Sequence, residues 1–180
     1  MSLIKIISGG QTGVDRAALD AALDCGLSIG GWCPKNRKAL DGAIPDKYPL
    51  KETKSSDYRV RTEWNIRDSD GTLILNNGKL TGGTKLTHKL AIENSKPVFI
   101  VQLDEPYEIE DTLGWLKVHE IAILNIAGPR EHNKFSIYEL AQDYLTAILI
   151  KINPYIYPLQ EEKVNPPPQL IDDPAEYKVN

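Results

Sequence analysis

Cysteine and histidine are scarce in this chain of 180 residues, with two and three copies. Cys25 and Cys33 do not form a C-x-x-C pair, and His88, His119 and His132 are scattered with no i, i+4 pairing. A metal site built from protein side chains is therefore not expected. In a reducing compartment the two cysteines read as free thiols packed like small hydrophobes. Long apolar runs are missing as well: nothing approaches the roughly 18–20 residues that span a bilayer. The opening Met1–Ser8 has neither a basic n-region nor a cleavage-type h-region. No membrane contact is expected, and the cytoplasm is the expected location. Positive charge is in short supply, with 21 Lys and Arg against 25 Asp and Glu and a net charge of −4. That excludes a general nucleic-acid binder, which needs a basic face to release counterions, but leaves room for a local pocket for one phosphate. No G-x-S-x-G elbow exists and neither cysteine has a histidine neighbour, so serine or thiol catalysis finds no support.

What is present is alternation. Leu3–Ile7 is β-branched and apolar and predicts a buried strand. Gly13–Cys25 places Val14, Ala17, Ala18, Ala21 and Ala22 at helical spacing, with Gly26 as a stop. Strands follow at Ile29–Cys33, Thr72–Leu75, Pro97–Val101 and Ile121–Ile126. Helices follow at Tyr58–Asp68, Thr84–Asn94, Tyr107–His119 and Ser136–Ile152. Residues 34–57, with Pro34, Gly42, Pro45 and Pro49, read as a long ordered loop, which in a compact domain is often functional. Strands alternating with helices predict an α/β domain, a three-layer α/β/α arrangement around a mainly parallel sheet, over residues 1–152. Residues 153–180 carry Pro154, Pro158, Pro166, Pro167, Pro168 and Pro174 without sustained periodicity and read as an extended tail.

In an open parallel sheet, ligands bind beyond the carboxyl ends of the strands. Two Gly-rich loops lie there, each leading into a helix: Gly9-Gly10-Gln11-Thr12-Gly13 and Gly82-Gly83-Thr84. A helix start offers unpaired N–H groups and the positive end of a dipole, so each loop is a candidate phosphate cradle. Neither is a G-x-G-x-x-G fingerprint nor a P-loop, and glycines also serve tight strand-to-helix turns. Arg130, after the last strand, offers a fork of donors suited to phosphate or carboxylate, unless it merely pairs with Glu131. Asp15 and Arg16 open the first helix, where Asp15 favours the dipole with or without a ligand. Lys35 lies in a loop from which it would reach a phosphate or stand idle. Arg61, Asn65 and Asp68 share a helix face and are expected to line the pocket, or else belong to a solvated face. On this reading a β-branched residue at Gly10 abolishes binding and leaves the fold largely intact.

The blocks Ser8-Gly9-Gly10-Gln11-Thr12-Gly13-Val14-Asp15-Arg16, Gly31-Trp32-Cys33-Pro34-Lys35, Arg61-Thr62-Glu63-Trp64-Asn65-Ile66-Arg67-Asp68, Leu80-Thr81-Gly82-Gly83-Thr84 and Asn125-Ile126-Ala127-Gly128-Pro129-Arg130-Glu131 run in order along the chain. Together they resemble the molybdenum carrier (molybdenum cofactor carrier protein) family, and the resemblance leaves out the Pro-rich tail. It implies a Rossmann-like fold related to the lysine-decarboxylase-like (Lonely-Guy-type) and DprA proteins. It also implies a nucleotide-like phosphorylated ligand, molybdenum cofactor (molybdopterin) among them, and a homo-oligomer, often a tetramer. Lonely-Guy-type phosphoribohydrolases carry P-G-G-x-G-T-x-x-E. Here the corresponding stretch is Thr81-Gly82-Gly83-Thr84-Lys85-Leu86-Thr87-His88, which keeps two glycines and lacks the glutamate. Binding without catalysis is the expectation. The alternatives are a nucleotide monophosphate phosphoribohydrolase-like enzyme, with Glu63, Asp68 or Glu131 as acid or base, and a nucleotide-ligand sensor that docks through its tail.

Overall fold

The computed structural model describes residues 3–131 and 136–153. The expected tail, but for its first residue, lies outside the described residues, as does His132.

Five strands form the central sheet: β1 (Lys5–Ile7), β2 (Ser28–Gly30), β7 (Gly71–Asn76), β8 (Val98–Gln102) and β9 (Ile123–Ala127). Their order is β2-β1-β9-β7-β8, and every pairing is parallel. Every residue of β7 is buried, as expected of a strand covered on both faces. Counted with β9 first, the order becomes 3-2-1-4-5, the succession of a doubly wound sheet. The chain's last strand thus fills the position that the first one usually holds.

The helices sort to two faces. On one, α1 (Val14–Asp24) packs on α5 (Ile137–Ile152), with α4 (Ile109–Val118) beside it. Their apolar stripes bury Ala17, Ala21, Leu116, Tyr144 and Ile148 against Ile6, Leu73 and Leu124 of the sheet. The alanines of α1 let α5 approach closely, and Tyr144 Oη lies 2.6 Å from Thr112 Oγ1, so its polar end is satisfied within the core. On the other face α2 (Tyr58–Arg67) packs on α3 (Gly82–Glu93) through Ile66, Leu90 and Ala91. Two helices begin with side-chain caps: Asp57 accepts from Arg59 N–H, and Ser136 Oγ accepts from Glu139 N–H.

Two elements depart from the sequence expectation. The strand expected over Ile29–Cys33 is broken at Gly31, whose φ of 127° no β-branched residue would adopt. Its second half, β3 (Trp32–Cys33), leaves the main sheet and pairs with β6 (Lys51–Glu52). The expected loop 34–57 is not without structure. It holds a 3₁₀ turn at Lys35–Arg37, a small antiparallel hairpin of β4 (Lys38–Ala39) and β5 (Gly42–Ala43), and β6. It has a core of its own, in which Cys33, Ile44, Tyr48 and Leu50 close over Leu19 of α1. Arg37 is its hub: the guanidinium donates to the carbonyls of Ile44, Pro45, Tyr48 and Leu50 at 2.9–3.2 Å. Such bonds come from one side chain to carbonyls scattered along the chain, and no local period announces them.

Candidate functional site

Because all five strands are parallel, the segments after β1, β7 and β9 emerge on one edge of the sheet. They enclose a cavity of about 510 Å³, within the range of small-molecule sites. Its wall carries Gln11 and Asp15 from the first loop and helix, Gly82, Gly83 and Thr84 from the start of α3, Arg130 from the segment after β9, and Arg61 from α2.

The start of α3 is open. Thr81, its N-cap residue, makes no side-chain cap, and no acidic residue lies in the first turn, so the leading N–H groups and the dipole are uncompensated within the helix. Gly83 is the telling residue. Its φ is not in the left-handed region, and a Cβ built on it would meet no atom within 4 Å. Neither conformation nor packing within the described chain requires glycine there. Thr84 is buried, and Thr87 Oγ1 donates back to the Gly83 carbonyl at 3.0 Å, fixing this turn from behind. Arg130 is exposed and makes no ion pair among the described residues. Glu131, its sequence neighbour, accepts from Tyr138 N–H at 3.1 Å and so serves the start of α5.

The first Gly-rich loop behaves differently. Its amides are answered from inside: Gln11 N–H donates to Asp15 Oδ2 at 3.3 Å, and Thr12 N–H to Gln11 Oε1 at 2.9 Å. Asp15 is buried and stands where an external anion would otherwise sit. Arg61 Nη1 pairs with the same Oδ2 at 3.2 Å. Burial raises the Asp15 carboxyl above its ordinary value, against the opposing pull of Arg61 and the Gln11 amide. Arg61 Nε is buried with no hydrogen-bond partner among the described residues. Gly9 makes room for this pair, since a Cβ there would collide with the Arg61 guanidinium and come within 2.8 Å of Asp15 Oδ2. Gly13 lets α1 abut the segment after β9, for its Cβ would lie 2.5 Å from the Pro129 carbonyl.

Gly10 needs a correction. Its φ is +74°, and a Cβ would meet Leu50 Cδ1 at 2.6 Å and Ile44 Cδ1 at 3.0 Å. A β-branched residue there would push into the small core of the 34–57 segment, so an intact fold is no longer the expectation for that variant.

Several candidates from the sequence stand away from the cavity. Arg16 donates to the Gly10 carbonyl at 3.2 Å and forks onto Asp41, tying the first loop to the hairpin. Asn65 is buried and brackets Trp32, accepting from its N–H at 2.7 Å and donating to its carbonyl at 3.0 Å. Asp68 accepts from Trp32 Nε1 at 2.7 Å and pairs with Arg67, which holds its carboxyl below the usual range. Lys35 is exposed in the 3₁₀ turn and Thr12 is half-buried, and neither reaches the cavity wall. A shared helix face was therefore a poor guide: Arg61 looks to the cavity, whereas Asn65 and Asp68 serve β3. Glu63 is exposed off the wall, so Asp15 is the one carboxyl among the described wall residues.

The sequence reading missed Tyr58, the one aromatic residue among the described wall residues, and Thr62 one helical turn on. Their i, i+4 spacing on α2 was a usable signal, since Arg61 lies between them. Both cysteines are free and buried, and burial pushes their thiols up. No group of three His, Cys, Asp or Glu among the described residues is placed to hold a metal ion. No helix among them is long and apolar enough to cross a membrane.

A family model described as the circularly permutated YpsA SLOG family matches residues 6–149. The crystal structure of a "putative molybdenum carrier protein" from Syntrophus aciditrophicus SB is similar to this chain at 48% sequence identity and a TM-score of 0.77. The match covers 82% of this chain and 96% of that one. No curated protein matches the chain.

Proposed function

Because the chain belongs to the circularly permutated YpsA SLOG family, we propose that it is a binding protein for a small phosphorylated ligand, with a carrier or storage role. The observation that carries this reading is Gly83. A glycine that neither φ nor packing among the described residues demands, at the uncapped start of a helix and on a cavity wall, leaves a space that a ligand can take. The N–H groups around it and the dipole select an anion, and Arg130 supplies an exposed cation with a bidentate fork. The first Gly-rich loop has a different part. Its amides hold Asp15, Asp15 holds Arg61, and the pair shapes the wall opposite α3.

The name of the Syntrophus protein makes molybdenum cofactor, a phosphorylated pterin, the first ligand to test. The residues fit it to this extent: the cavity is large enough for a small cofactor and offers an anion cradle. Among the described residues the wall has no cluster of metal-binding side chains, and a metal carried by the cofactor's own sulfurs needs none. A nucleotide monophosphate fits the same description. A homo-oligomer belongs to this reading through the family resemblance, and light scattering of the purified protein checks it, a monomer removing that part.

The test is a calorimetric titration with metal-free molybdopterin, molybdenum cofactor and nucleoside monophosphates, run beside Gly83→Val. The reading expects saturable binding of at least one of them and a loss of tenfold or more in the variant. Binding that ignores the substitution places the phosphate elsewhere.

A further inference from the structure

The cavity contains one more group whose chemistry is fixed by its surroundings. Gln11 Oε1 accepts from Thr12 N–H at 2.9 Å and from Leu40 N–H at 2.8 Å, with Thr12 Oγ1 at 3.4 Å. Two backbone donors converge on this oxygen, so flipping the amide would set an NH₂ group against two N–H groups. The orientation is therefore determined by the chain. Gln11 Nε2 makes no hydrogen bond among the described residues, and Gln11 is one of the residues of the cavity wall. The wall thus includes a residue whose amide nitrogen stays a donor, because its oxygen is held by two separate segments.

The group that meets it is constrained too. Asp15 takes the backbone N–H of Gln11 itself. Its carboxylate, ion-paired with Arg61, presents an oxygen beside Gln11 and repels a further anion there. The phosphate belongs at α3 and Arg130, and Gln11 faces a different, uncharged part of the ligand. Tyr58 shares this wall. It is 39% exposed, its hydroxyl makes no hydrogen bond among the described residues, and the Arg61 guanidinium lies 6.0 Å from its ring centroid. A flat ring next to a directed donor suits a planar heterocycle with a carbonyl or ring-nitrogen acceptor on its edge.

Resting on the phosphate-binding reading above, we propose that Gln11 is the specificity-determining residue of the site. It donates its Nε2 hydrogens to a neutral acceptor on the heterocycle of the phosphorylated ligand. This goes beyond anion capture, because it predicts that the site distinguishes heterocyclic phosphates from bare sugar phosphates. An amide donor left facing a ligand without its acceptor loses its bond, and sites built this way discriminate strongly.

The experiment measures affinities for ribose 5-phosphate, guanosine 5′-monophosphate, adenosine 5′-monophosphate and metal-free molybdopterin in the full chain and in two variants. Gln11→Glu keeps the oxygen that Thr12 and Leu40 require and replaces the donor. Gln11→Met removes the donor without adding charge. The unsubstituted protein is expected to favour at least one heterocyclic ligand over ribose 5-phosphate by tenfold or more. Both variants should lose that preference while their ribose 5-phosphate affinities, compared within each variant, set the reference for the added charge. A preference retained in both variants, or no preference in the unsubstituted protein, overturns the role given to Gln11 and leaves the phosphate site standing. If no phosphorylated compound binds at all, the underlying reading fails, and the proposal with it.

Discussion

At the scale of single residues the site is built from glycines that do different work. Gly9 yields space to a guanidinium and Gly13 to a backbone carbonyl, so both are explained by packing. Gly83 has no such neighbour, and this sets up a trade. At a helical position with ordinary φ, Gly→Ala should stabilise the fold by about 0.4–1 kcal/mol, because the unfolded chain loses freedom. Gly83→Ala is therefore expected to raise the denaturant midpoint while weakening ligand binding. Chemical melts and titrations of the same preparation check both halves, and a variant that gains stability at full affinity would show that the space is not used. Asp15 gives a second prediction. Burial raises its folded-state pKa above 3.8, so the native chain binds that proton more tightly than the unfolded chain. Its contribution to stability is then greatest at low pH, declines as pH rises from 3.8 through the raised value, and is constant beyond. Asp15→Asn should flatten that part of the curve in melts at stepped pH. An unchanged slope would assign the pH dependence to another group.

At the scale of elements, the segment between β2 and α2 behaves as a small structure with its own centre. Arg37 is mostly buried and donates to four carbonyls, and Arg37→Ala would leave those acceptors to find water. A bond to a charged group contributes about 1.5–3 kcal/mol net; the four bonds share one guanidinium and the freed carbonyls can reach water, so a loss on the order of 3 kcal/mol is expected. It should be confined to this segment. Hydrogen exchange should accelerate at Ile44, Tyr48, Leu50 and Thr53, whose amides are bonded within it. Exchange in β7 and α5 should hold. Acceleration spread evenly over the sheet would mean that the segment is not a separate unit. Here the sequence was least readable. The alternation of Val, Ile and Leu in the strands, and the alanine stripe of α1, carry a period that survives inspection of the chain. The order of residues 34–57 rests on Arg37, on Tyr48 donating to Asp20 at 2.9 Å, and on two-residue pairings, one of which joins β3 to the separated β6. None of these has a local period. The same holds for the site: glycines before a helix can be read in sequence, but which of two helix starts is already occupied by an internal carboxyl cannot. Asn65 and Asp68 show the converse, since a common helix face does not say which neighbour that face meets.

At the scale of the molecule, the position of β9 explains why residues from opposite ends of the chain share one cavity. The last strand lies between β1 and β7 and brings Arg130 beside Asp15 and Gly83. This matches a family described as circularly permutated, because counting from β9 restores the ordinary doubly wound order. The site bridges segments that follow three separate strands, so occupancy should stabilise the whole domain and not one element. A ligand at one hundred times its Kd adds about 2.7 kcal/mol, which for a chain of this size corresponds to a rise in Tm of roughly 5–10 °C. Differential scanning calorimetry with and without ligand reads that shift, and a shift of under about one degree at saturation would place binding outside this junction.

The central claim is that the start of α3 receives the phosphate, and titration calorimetry of the intact chain against its phosphorylated ligands, with and without the Gly83→Val substitution, tests it most directly. The account predicts saturable binding to the unsubstituted chain, weakened tenfold or more by the added side chain while the far-UV spectrum and cooperative melt are kept. Equal affinity in a folded Gly83→Val protein would contradict it.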